Sequence, residues 1–261
     1  QFRAWDIARR PDLILVHMLV ALVRGDNAVL EHWRAVAAQA ISSPESSNIG
    51  SALLLLAGQR ANVELGVEFA EGTGAVWTLI SQLSESVDCL VRGQWATAHD
   101  RLRQANGHAL DEFPLLQVIH ASIRGVLAAA NSHVDELNSA ARTIRLTLPQ
   151  LSSLMDSPLL APALGVLAVS DAVCGEAHSA REYGRAGAEL ANRLPAGAAK
   201  TSVFVLLASA ANLLGEPTTA LTHLEAADSA MPLERRGAFL SERVQELRGL
   251  LPTTEARKLA P

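Results

Sequence analysis

The side chains able to do covalent or metal chemistry in this chain are eight histidines, two cysteines and 27 carboxylates, and their spacing withholds most of that chemistry. His17, His32, His99, His108, His120, His133, His178 and His223 stand singly, with no His-Glu-x-x-His pair to set two imidazoles on one helix face. A zinc site would have to be assembled by folding alone. Cys89 and Cys174 lie in apolar helical stretches with no neighbouring base, so they read as reduced thiols that pack like small hydrophobes. Gly72-Thr73-Gly74 is a lone Gly-x-Gly in a linker. The lysine-bearing phosphate loop, the Gly-x-Ser-x-Gly elbow and an aspartate-rich metal motif do not occur. No catalytic residue, metal ligand set or cofactor is expected.

What remains is recognition by hydrogen bonding. Gln117, His120 and Arg124 fall at i, i+3 and i+7, one face of an otherwise apolar helical stretch. Gln82, Glu85 and Asp88 fall at i, i+3 and i+6 on another, while Ser202, Ser209 and Asn212 recur on a third and Ser170 with Asp171 on a fourth. Two readings stand open. These residues converge on a groove and bind a polar ligand or peptide, or each is the solvated edge of an amphipathic helix. The candidate ligand-binding set is Trp77, Gln82, Glu85, Gln117, His120, Arg124, Ser170, Ser209 and Asn212, with Trp77 either stacking on a flat ligand or packing between helices.

The elements that must position them are helical. A turn signature returns six times, centred on Gly25, Gly58, Gly93, Asn131, Gly175 and Gly215, at spacings of 33, 35, 38, 44 and 40 residues. That period belongs to helical-hairpin repeats, each too small to bury its apolar face without a neighbour. The expected units cover about 11–41, 48–71, 75–106, 109–148, 158–194 and 198–231, with a capping helix over 234–250 and a tail or linker at 252–261. The fourth pairs helices 111–130 and 133–148. Together 1–251 form one all-α domain, an α-α superhelix of about six hairpins plus its cap. Glycine suits the reversal between the two helices because it alone takes a left-handed φ without a Cβ clash, and Asn131 is expected to replace it in the fourth unit.

Five residues after three of these glycines comes alanine (Ala98, Ala180, Ala220). Twelve after most of them comes another small residue: Ala37, Ala70, Ala105, Gly187 or Ala227. Small side chains there let the second helix lie close to the first, and Trp95 stands where an aromatic wedges between them. Gly-x-Trp-x-x-Ala at 93–98 and Gly-x-x-x-x-Ala at 175–180 and 215–220, followed by Ala227 and Pro232, resemble the second half of tetratricopeptide repeats. The first-helix consensus is poor, so the array is tetratricopeptide-like with diverged units. The opening, with Arg10-Pro11-Asp12-Leu13 before a leucine-rich helix and an Arg-Gly-Asp turn, is similar to the sensor domain of MalT-like large ATP-binding LuxR-type transcriptional regulators. That resemblance implies an ATP-binding module and a DNA-binding module on the same full-length chain. It also implies a small-molecule inducer or a regulatory protein or peptide as the ligand of the concave groove.

Composition sets the outer bounds. Hydrophobic residues at 49% with aromatics at 4% describe a Leu/Ala/Val core of closely packed helices. A net charge of −5 with scattered arginines argues against direct nucleic-acid contact, which needs a concentrated basic face. Apolar runs of about a dozen residues are too short to span a membrane. A cytoplasmic, non-catalytic regulatory sensor domain is the expectation, with self-association through the apolar ends of the array. The alternative is a tetratricopeptide-like protein-interaction scaffold with no small-molecule ligand.

Overall fold

A computed structural model of the chain describes residues 11–40, 75–91, 93–105, 108–231 and 238–251. Within them the protein is all-helical. The α-helices are α1 (Pro11–Arg24), α2 (Asn27–Ala40), α3 (Ala75–Val91), α4 (Trp95–Gln104), α5 (His108–Glu112), α6 (Pro114–Ala130) and α7 (Val134–Thr147). Two 3₁₀ turns, Leu148–Leu154 and Pro158–Leu160, then lead to α8 (Ala161–Val173), α9 (Ala177–Asn192), α10 (Ala198–Leu213), α11 (Pro217–Ala230) and α12 (Ala238–Leu250). The unit expected at 48–71 and the tail at 252–261 lie outside the described residues.

Antiparallel hairpins α1–α2, α3–α4, α6–α7, α8–α9 and α10–α11 are each closed by the same backbone device. The residue in the left-handed region has φ between 58° and 80°, and it is Gly25, Gly93, Gly175 or Gly215 in four of them. The N–H that follows donates to the carbonyl five residues back: Asp26 to Ala21, Gln94 to Cys89, Glu176 to Asp171 and Glu216 to Ala211. This is the long-range bond of a Schellman motif, which satisfies a carbonyl the ending helix leaves free.

The fourth turn corrects the expectation for Asn131. Asn131 keeps an ordinary φ of −93° and ends α6, its Nδ2 donating to Leu127 O at 2.9 Å. Ser132 takes the left-handed conformation instead, and His133 N donates to Ala128 O in register with the other turns. The helix expected over 111–130 is also interrupted. Phe113 is extended at φ −122°, ψ 88°, because Pro114 disfavours the α conformation in the residue before it, and Pro114 then opens α6.

The first helices of the hairpins pack on one another and the second helices lie outside them. α6 packs on α8 and α8 on α10, while α4, α7 and α9 each bridge their own first helix and the next one along. The spacing is close enough to demand small residues. A Cβ on Gly125 would lie 2.5 Å from Val166 Cγ1, and one on Gly165 3.1 Å from Leu206 Cδ1. Ala98, Ala180, Ala220, Ala37, Ala105, Gly187 and Ala227 are all buried, and Trp95 is half-buried against the core. The α1–α2 hairpin rests its turn on the Pro158–Leu160 segment, where Arg193 donates to Arg24 O (3.3 Å) and Asp156 O (2.7 Å).

Candidate functional site

A groove on the inner helices would need a face of those helices turned to solvent. α8 and α10 offer almost none: from Ala161 to Ala172 every residue but Pro162 is buried, and from Thr201 to Ala211 every residue but Ser202. A helix apolar on all sides is an interior helix, and these two are enclosed by neighbours on all sides. The inner contacts also form a circuit. α3 meets α6, α6 meets α8, α8 meets α10, α10 meets α12, and α12 returns to α3. Between α6, α10 and α12 lies a cavity of about 20 Å³, lined by Val126, Ala129, Ala130, Ser202, Val205, Leu206, Ser209 and Arg243. That volume holds about one water molecule.

The polar candidates are mostly spent on joints between helices. The three on α6 point outward to two different second helices. The Thr147 hydroxyl of α7 donates to Gln117 Oε1 (3.0 Å), and Arg124 Nη2 donates to Ser139 Oγ of α7 (3.5 Å). His120, only 7% exposed, carries its proton on Nε2 to donate to Leu102 O of α4 at 3.0 Å. Burial pushes the His120 imidazole below its usual pKa; the Leu102 bond opposes that shift and the nearby Arg124 charge adds to it. The sequence face was real, but it anchors α6 to α4 and α7.

On α3, buried Glu85 pairs with Arg101 of α4 at 3.1 Å, and Gln82 is half-buried, its carbonyl accepting from Ser86. The side chains of Trp77 and Asp88 lie outside the described residues. Ser170 of α8 donates to Asn138 Oδ1 of α7 at 2.9 Å. Beside it, buried Asp171 accepts from Arg145 of α7 and Ser179 of α9, so one carboxylate ties three helices. Ser209 lines the small cavity but its hydroxyl donates back to Val205 O at 2.9 Å. Asn212 is half-buried near the end of α10.

Sequence reasoning missed Asn138, Arg145, Ser179 and Arg243. The first three are ordinary polar residues of amphipathic second helices. Only their positions opposite Ser170 and Asp171 distinguish them, and a periodic pattern does not give those. Among the described residues no group of three or more His, Cys, Asp or Glu side chains is placed to hold a metal ion. No helix among them is long and apolar enough to cross a membrane.

Among the described residues the geometry offers packed joints, a water-sized cavity at the inner circuit, and a C-terminal helix closing that circuit. No protein-family model, curated protein or solved structure matches the chain.

Proposed function

We propose that this chain is a non-catalytic regulatory sensor domain, built as a tetratricopeptide-like superhelix, whose input is a regulatory protein rather than a small molecule. In this reading the domain belongs to a cytoplasmic LuxR/MalT-type transcriptional regulator. It passes its bound state to ATP-binding and DNA-binding modules on the same full-length chain. The observation carrying the choice of input is how closely the described helices fill the interior they enclose. A drug- or sugar-sized ligand needs a pocket of about 300–1,000 Å³, and the inner cavity holds about one water.

Recurrent hairpins with one turn geometry supply what a signalling array needs, since small changes in the packing of successive units add along the stack. A partner changes the curvature of such a stack only by its differential affinity for two shapes. The setting is tested by the coding sequence on either side. A phosphate loop upstream and a helix-turn-helix downstream support the regulator, and flanks lacking both overturn it.

A further inference from the structure

We infer that Arg193 is a latch: with one cation it serves two helix C-termini, and so seats the first hairpin, α1–α2, on the junction of the fourth and fifth hairpins. The inference is independent of the regulatory reading above and concerns how the array is closed. Two helices end at this point. α1 ends at Arg24, and α9 ends at Asn192 with Arg193 as its C-cap. A helix end carries carbonyls without an intrahelical donor and a partial negative charge. Two such ends brought together repel unless a cation bridges them, and the Arg193 guanidinium does so. From the end of α9 it donates to Arg24 O at the end of α1 (3.3 Å) and to Asp156 O between the two 3₁₀ turns (2.7 Å). The exchange is reciprocal, because Asn27 Nδ2, from the first residue of α2, donates back to Arg193 O (3.4 Å). Lys200 completes the end of α9 by donating to Asn192 O at 3.0 Å and Leu194 O at 3.3 Å.

The seat is specific in shape as well as in charge. The residues that meet across it are 166 and 169 positions apart, so the contact does not follow from stacking each hairpin on the next. Pro158–Leu160, on which α1 rests, also meets α6, α8 and α9. The first hairpin is thereby set where the fourth and fifth join. Gly25 lies close against that place: a Cβ on it would be 3.1 Å from Pro158 Cγ and 3.4 Å from Arg193 Nε and Nη2. A Cβ on Gly175 or Gly215, in the same left-handed turn conformation, would meet nothing within 4 Å among the described residues. Arg193 itself is exposed, so its charge acts at the surface, where salt screens it. A contact of that kind yields to salt or to the loss of one side chain, which distinguishes a latch from the apolar joints along α6, α8 and α10.

The test is hydrogen exchange of the folded full chain at low and high salt. A hairpin of two 14-residue helices is marginal in water without a packing partner, so the amides of α1 and α2 report whether it is seated. Arg193→Gln should speed their exchange about tenfold, the size of one charge-assisted hydrogen bond, and leave α8 and α10 as protected as in the parent. Asn27→Ala, acting from the other side of the contact, should give the same pattern at smaller amplitude. Raising NaCl from about 0.05 M to about 1 M should speed exchange of α1 and α2 in the parent and leave Arg193→Gln nearly unchanged. Unaltered exchange of α1 and α2 in Arg193→Gln overturns the proposal. Faster exchange spread equally over α8 and α10 also overturns it, since Arg193 would then act on the stability of the whole chain. An equal salt response in parent and variant overturns it as well, because the seat would then owe nothing to the Arg193 charge.

Discussion

Asp171 and His120 are the two buried titratable side chains whose surroundings say most about how the helices are joined. Asp171 accepts from Arg145 and Ser179, so removing its carboxylate leaves a guanidinium and a hydroxyl without that partner at the meeting of α7, α8 and α9. Asp171→Ala should cost about 1–3 kcal/mol in urea unfolding. The figure stays below that for a fully buried pair because Arg145 remains 40% exposed. An unchanged midpoint would show that the carboxylate does not join these helices. For His120 the folded-state pKa lies below the ordinary 6.5, chiefly through burial. As the pH falls, the unfolded chain therefore takes up the proton first. The stability from neutral His120 is complete above about pH 6.5 and is lost as the pH falls through the folded-state value. His120→Gln, which keeps an N–H for Leu102 O, should flatten the fall in stability between about pH 7.5 and 5.5. His223, half-buried beside Phe204 and shifted the same way by burial, supplies part of the slope that remains. Identical slopes for parent and variant would mean that His120 is not held neutral by the fold.

At the scale of the elements, the turns and the inner contacts make separate claims. Ser132 takes at φ 58° the role that glycine takes in the other turns, so Ser132→Gly should stabilise the chain by about 1 kcal/mol in a thermal or urea melt. Gly175→Ala should lose about the same amount, since its φ is 80° and an added Cβ would meet nothing within 4 Å. Opposite signs for the pair are the expected result, and a shared sign would refute the common turn geometry. Gly125→Ala tests the packing of α6 on α8 and should cost about 1–3 kcal/mol, with Val166→Ala recovering part of the loss in a double-mutant cycle. Additive effects would separate the two helices at that point. Much of this was legible beforehand. Glycine at a left-handed position and alanine five residues later are local requirements, and local requirements are written in sequence. Asn131 misled because asparagine also tolerates the left-handed region, and the register moved one residue to Ser132. The face of Gln117, His120 and Arg124 was legible as a face. Its direction was not, because helical periodicity gives the stripe and never the neighbour that meets it.

The whole molecule departs most from what periodicity suggests. An array of hairpins was expected to present a concave groove, and the described helices fill it: α3, α6, α8, α10 and α12 meet in a circuit around a cavity of about 20 Å³. Circuit closure depends on the small rotation between successive units, a sum over several helix crossings that no single residue encodes. It is the ground on which we propose a protein and not a metabolite as the input. The most direct test of that choice is a melting titration of the purified chain against sugars, amino acids, nucleotides and lipids. The account predicts no saturable shift with any of them. A metabolite at a hundred times its Kd would add about 2.7 kcal/mol, raising the Tm by about 5–10 °C for a domain of this size. A saturable rise of that kind would contradict the account and make the array a small-molecule sensor.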